Sequence, residues 1–193
     1  MRETGVEYET VSIDLTRGEQ NSSEFLAINP YGKLPVLVDG EITVTESAAI
    51  CTYIAEKYPA AHLIPEPATA ARAHYYQWVC FCLAEMEPHL WSIRKNMIKY
   101  PKPKRSRLAI EIAREEYARG AAIVASHLAQ NDYLLGKNFS AADIIVGYDL
   151  VWADSLKMLA DFPVLKSWLE KLKQRPAFPS FLFSETVGQG KLS

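Results

Sequence analysis

Two prolines and one glycine fall within six residues of Asn29-Pro30-Tyr31-Gly32-Lys33-Leu34-Pro35. No continuous helix or central strand can run through such a stretch. It must be a tight turn that delivers a proline to the start of a strand. Pro35 has no N–H to give to a ladder, so backbone groups around Leu34 are left for another partner. The Leu34-Pro35 bond is also the place to expect a cis peptide. Twelve residues on, Glu46-Ser47 opens a helical pattern, and a helix start offers unpaired N–H groups and a positive dipole end. An extended, peptide-like ligand bearing a carboxylate fits between these two features.

Around this signature the chain alternates short elements. Val6 to Leu15 places Val11, Ile13 and Leu15 on one face and predicts a strand. Thr16 to Glu24 is polar and predicts a loop, with a helical turn over Ser23 to Ala27. Leu34 to Val38 and Glu41 to Thr45 flank Asp39-Gly40, a strong hairpin signal. Ile50, Tyr53, Ile54 and Tyr58 recur at helical spacing, which predicts an amphipathic helix over Ser47 to Tyr58, stopped by Pro59. His62 to Pro67 is proline-rich and predicts a domain boundary. Beyond it every period is helical: Thr69 to about Met97, Arg107 to Leu128, Ser140 to about Leu159, and Val164 to Gln174.

Composition narrows the function classes. Nearly half of the 193 residues are hydrophobic, enough for a sizeable core. A net charge of −2 gives no global attraction to nucleic acid or to an anionic membrane. No apolar run approaches the roughly 20 residues of a membrane span. The N-terminal MRETGVEYET has no signal-like apolar core. Cys51, Cys80 and Cys82 are odd in number and lie in apolar helical patterns, so they read as buried free thiols, with the cytoplasm as the expected compartment. The four histidines are scattered without metal-ligand spacing, so no metal is expected. The basic run Lys99 to Arg107 is broken by Pro101 and Pro103 and followed by Glu111, Glu115 and Glu116, and reads as a solvated interhelical loop.

The stretch NPYGKLPVLVDGEITVTESAAICTYI resembles the glutathione-binding half of cytosolic, bacterial-type glutathione S-transferases. The family pattern is Asn-Pro-x-Gly-Lys-Val-Pro-x-Leu, a strand, then Glu-Ser and a helix. The resemblance covers essentially the whole chain and implies α/β plus all-α architecture. A thioredoxin-like glutathione-binding domain would span residues 1–61, and an all-helical domain residues 68–193. It implies that Leu34 pairs its backbone with the cysteinyl part of glutathione and that Pro35 is the cis-proline. Lys33 would reach the glycyl carboxylate, Ser47 would take the γ-glutamyl carboxylate, and Glu46 would face the α-amino group. Bland alternatives stay open for each: an edge strand with a proline, and an N-cap serine beside a solvated glutamate. Glutathione would be the co-substrate, a hydrophobic electrophile the second substrate, and a homodimer the assembly, with neither nucleic acid nor membrane as partner. The activity implied is glutathione conjugation of the detoxification type, and the alternative is a non-catalytic glutathione-binding or protein-interaction module.

A second family motif is Phe139-Ser140-Ala141-Ala142-Asp143-Ile144. Ser140 as N-cap and Asp143 at N3 suit a capping-box exchange, flanked by Phe139 and Ile144 as a hydrophobic staple. This motif serves folding, and its loss through Asp143→Ala is expected to cost roughly 1–2 kcal/mol. Tyr75, Tyr76, Trp78, Phe81 and Trp91 lie on the first long helix, one side of which lines the electrophile pocket in the family; most are expected in the core. Relatives carry the Tyr, Ser or Cys that activates the thiol on a turn after a first strand. Here Arg2 to Val6 corresponds to the end of the helix that follows that turn. The strand and turn are therefore expected to lie outside this sequence, leaving the catalytic residue unassigned and the neighbouring strands with unpaired ladder groups. Tyr8 and Ser12 belong to the next strand and are not candidates.

Overall fold

Asp39-Gly40 folds the chain back on itself as its sequence requires. In the computed structural model, which describes residues 1–179, Gly40 sits at φ +61° in that turn. Strand β1 (Val36–Asp39) pairs antiparallel with β2 (Ile42–Thr45), with Val36 opposite Thr45 and Asp39 opposite Ile42. Each strand has this single ladder partner among the described residues. Helix α1 (Ser23–Ile28) precedes the hairpin and is capped by Ser22, whose side chain accepts from the Phe25 N–H. Helix α2 (Ser47–Lys57) follows it and packs on both strands. The Asp39 carboxylate accepts from Tyr53 Oη at 2.9 Å and pairs with the Lys57 ammonium, tying the hairpin turn to α2.

The predicted strand over Val6 to Leu15 is not formed. Residues 6–14 belong to no helix or ladder, and Val11 is 81% exposed. Alternation alone cannot hold a strand that has no hydrogen-bonded neighbour. The polar stretch after it is also more structured than its composition suggests. A short 3-10 turn over Glu19–Asn21 leads into α1.

The chain divides into two compact units, Met1–Ile64 and the remainder from Pro65. The second is helical: α3 (Ala70–Phe81), α4 (Glu87–Arg94), α5 (Arg107–Leu128), α6 (Ala141–Ser155) and α7 (Pro163–Lys173). The expected single helix from Thr69 to Met97 is instead interrupted by π-helical turns at Cys82–Met86 and Lys95–Lys99. Pro88 explains the first interruption. It has no N–H for the carbonyl four residues back, and its ring crowds that carbonyl, so the backbone widens just before it. The core of this unit gathers Tyr75, Met86, Leu90, Ile93, Tyr117, Val124, Val146, Leu150, Leu165 and Leu169, all essentially inaccessible.

The expectation of three buried thiols is corrected. All three cysteines are free, but Cys82 alone is buried, Cys51 is half-buried and Cys80 is exposed. Helical spacing explains this: Cys80 lies two residues from Cys82 and so falls on another face.

Candidate functional site

The hairpin register puts the two halves of the signature opposite each other. Val36 pairs with Thr45. The ladder ends at this pair, with Leu34-Pro35 running into one strand and Glu46-Ser47 leaving the other. The open end of the hairpin therefore juxtaposes the proline turn with the first turn of α2. Lys33, Leu34, Pro35, Glu46 and Ser47 are all solvent-accessible there.

The Leu34-Pro35 bond is cis. Leu34 makes no backbone hydrogen bond among the described residues, and its side chain is 42% exposed. At the other half, the first backbone bond of α2 runs from the Ile50 N–H to the Glu46 carbonyl at 2.9 Å. The N–H groups of Ser47, Ala48 and Ala49 are left without carbonyl acceptors among the described residues. Glu46 is the N-cap of α2 and position N3 is Ala49, so no capping-box side chain folds back over the helix start. This end of the hairpin thus carries an unpaired backbone edge at Leu34 and unpaired N–H groups at the start of α2.

Two features of the site lie outside the signature's residue pattern. Glu46 is held at φ +67°, ψ 119°, a sparsely populated backbone region for a residue with a Cβ. Such strain costs about 1–3 kcal/mol and collects at ligand-binding positions. No residue pattern announces it, since glutamate has no turn preference. Asn29 is the second. Its side chain is buried, accepts from the Tyr31 N–H at 3.1 Å and donates to the Lys33 carbonyl at 2.7 Å. It thereby braces the turn that presents Leu34. The signal was available, because asparagine at the head of a turn commonly bonds to backbone two residues on. Gly32 completes the turn at φ +61°, where a Cβ would stand 3.0 Å from the Gln20 carbonyl oxygen. The Lys33 ammonium lies 4.9 Å from the centre of the Tyr31 ring.

The aromatics of the long helix separate by exposure. Tyr75 and Trp78 are buried and Tyr76 is exposed, while Phe81 and Trp91 are half-buried. Trp91 meets Trp152 edge to face with ring centres 5.1 Å apart. Trp78 borders a shallow hollow with Ile123, Ser126, His127, Gln130 and Asn131. No cluster of metal-ligating side chains occurs among the described residues.

The second motif is a folding device. Asp143 is fully buried, and its Oδ2 accepts from both the N–H and the hydroxyl of Ser140, at 2.8 and 2.9 Å. Its Oδ1 accepts from the Leu134 N–H at 2.8 Å, a partner the local sequence does not reveal.

Residues 1–56 match the family model described as "Glutathione S-transferase, N-terminal domain", and residues 83–171 that described as "Glutathione S-transferase, C-terminal domain". Glutathione S-transferase 3 of Zea mays is 32% identical over 92% of this chain and 83% of its own length. Disulfide-bond oxidoreductase YfcG of Escherichia coli is 30% identical over 97% of this chain and 89% of its own. Among solved structures, a sphingomonad glutathione S-transferase complexed with glutathione superposes with a TM-score of 0.82 at 32% identity, over 97% of this chain and 91% of that one. With both domain models matched in order, the hairpin signature in place and homologues aligned along most of their lengths, the chain belongs to the glutathione S-transferase family.

Proposed function

We propose that the open end of the hairpin binds glutathione and presents its thiol for attack on an electrophilic carbon. The observation that carries this reading is the register. Its end at Val36–Thr45 adjoins the unpaired backbone of Leu34 on one strand and the N–H groups at Ser47 on the other, which supports a ligand spanning the two. The cysteinyl peptide unit pairs with Leu34 as an added strand segment. The γ-glutamyl carboxylate takes the Ser47 N–H and hydroxyl at the helix start, Glu46 receives the α-amino group, and Lys33 the glycyl carboxylate. In the reaction the bound thiolate forms the C–S bond as the leaving group departs from the electrophile. A homodimer is part of this proposal.

The 30% identity to a disulfide-bond oxidoreductase supports a second reading, in which the bound thiol attacks a disulfide sulfur instead of carbon. Retention on immobilised glutathione, with turnover of chlorodinitrobenzene exceeding that of hydroxyethyl disulfide, is the result expected of the first reading. The reverse ratio supports the second. Retention without either turnover supports the non-catalytic binding module, and failure to bind glutathione refutes all three.

A further inference from the structure

The turn between α4 and α5 concentrates charge that the rest of the chain hides. Residues 95–107 contain six lysines and arginines and no acid, leaving 15 basic against 23 acidic residues elsewhere. Of the acids that follow on α5, Glu116 is engaged by Arg119 at 2.9 Å. Lys95, Lys99, Lys102, Lys104 and Arg107 have no carboxylate at ion-pair distance among the described residues. The turn is nevertheless built. Arg105 donates to the carbonyls of Tyr100 and Ile98 at 2.8 and 3.1 Å, and buried Asn96 accepts from the Ser106 N–H at 3.0 Å. Apolar side chains lie exposed at the same end of this helix pair: Ile98, Tyr100, Leu108 and Ile112. Leu108 and Ile112 stand one turn apart on a single face of α5.

We propose that this turn is a docking surface for an anionic lipid bilayer. Lysines whose stems can lie along a surface, next to exposed aliphatic and tyrosine side chains, suit the boundary between lipid headgroups and acyl chains. Pro101 and Pro103 remove two N–H groups that would otherwise have to be satisfied there. Charge complementarity selects anionic lipid, because each exposed lysine gains attraction only where the surface is negative. Nucleic acid would also take the charge, but a phosphate backbone gives Ile98, Leu108 and Ile112 nothing to bury against. The net charge of −2 conceals the site because the acids that outweigh it lie elsewhere in the chain.

The test is co-sedimentation of the full chain with phosphatidylcholine vesicles, with and without phosphatidylserine. Pelleting is expected only with phosphatidylserine at about 0.1 M salt, and should be largely lost near 1 M. The double variant Lys102→Glu/Lys104→Glu should weaken it by at least about tenfold. Leu108→Ser/Ile112→Ser should weaken it at unchanged charge. Circular dichroism of both variants should match the parent, as every altered side chain is exposed. Equal pelleting on phosphatidylcholine alone, undiminished pelleting of the lysine variant, or duplex DNA binding without vesicle binding would each overturn the proposal.

Discussion

Two buried aspartates on α6 show how one residue type acquires opposite energetic signs. Asp143 has three short hydrogen bonds to its two oxygens, so its removal strands the Leu134 and Ser140 N–H groups in the interior. A lost cap is worth about 1 kcal/mol and each stranded donor about 1–3 kcal/mol. Asp143→Ala should therefore destabilise by about 3 kcal/mol, more than the roughly 1–2 kcal/mol expected from the motif alone; a urea midpoint within error of the parent would refute this. Asp149 is equally buried, yet neither of its oxygens makes a well-formed hydrogen bond. Burial first, and then the charge of Glu87, pushes its carboxyl up to about 8, with the facing Tyr117 hydroxyl opposing only in part. Cys82, packed nearby, has its thiol raised by the same burial and by the charges of Asp149 and Glu87. The unfolded carboxyl titrates near 3.9, so between about pH 4 and 8 the folded chain holds a proton that the unfolded chain has lost. Stability from this group is thus full below about pH 4 and declines as pH rises to about 8. Asp149→Asn removes that titration. It should stabilise the protein by up to several kcal/mol at pH 8 and flatten the pH dependence of the melting midpoint between pH 5 and 8; an unchanged slope would show that Asp149 is not the titrating group. The capping motif made Asp143 legible in sequence. Asp149 was not, because its character comes from burial and from Glu87 and Tyr117, which are distant along the chain.

Elements that owe their form to neighbouring residues were legible; those that depend on a distant partner were not. The hairpin followed from Asp39-Gly40 and α5 from an unbroken period, while Val6 to Leu15 had alternation but no ladder to join. The same contrast holds at the open end of the hairpin, where Leu34, Pro35 and Ser47 form a motif of neighbouring residues and the strain at Glu46 has no such signature. The turn ahead of β1 carries a prediction of its own. Asn29→Ala would leave the Lys33 carbonyl and the Tyr31 N–H without the side chain that joins them. Glutathione affinity should fall about tenfold, the cost of one or two such bonds, with helix content unchanged; calorimetry showing undiminished affinity would remove Asn29 from the site's support. Close packing sets a second test. A Cβ at Gly120 would come within 2.9 Å of the Glu85 carbonyl oxygen, whereas one at Gly147 would meet the Leu172 side chain tip. Alanine gains about 1 kcal/mol in helix propensity at either position. Backbone cannot yield as a leucine methyl can, so Gly120→Ala should be the more destabilising of the two, by about 1–3 kcal/mol. Equal denaturation midpoints would contradict that ranking.

At the scale of the molecule, the two compact units have unequal means of stability. The helical unit buries long rows of leucine, valine and aromatic side chains, while the unit Met1–Ile64 has a two-stranded sheet and leaves Tyr8, Val11, Leu15 and Val38 exposed. A two-stranded sheet is marginal by itself and depends on what packs against it, here α2. A ligand that bridges Leu34 and Ser47 would join the two ends of this hairpin and α2 in one hydrogen-bonded set. Binding to the folded state alone stabilises it by about 2.7 kcal/mol when the ligand is at one hundred times its dissociation constant. The gain should appear locally, as slower amide exchange over residues 29–57, and not to the same degree over the core of α5 and α6. Glu46→Ala and Ser47→Ala should abolish that protection with little loss of fold, because neither side chain is buried. Relief of the Glu46 strain is not expected from alanine, which keeps its Cβ; Glu46→Gly should relieve it and stabilise the free protein while still weakening the ligand. Exchange that slows uniformly across both units, or not at all, would show that glutathione acts elsewhere than at the open end of the hairpin.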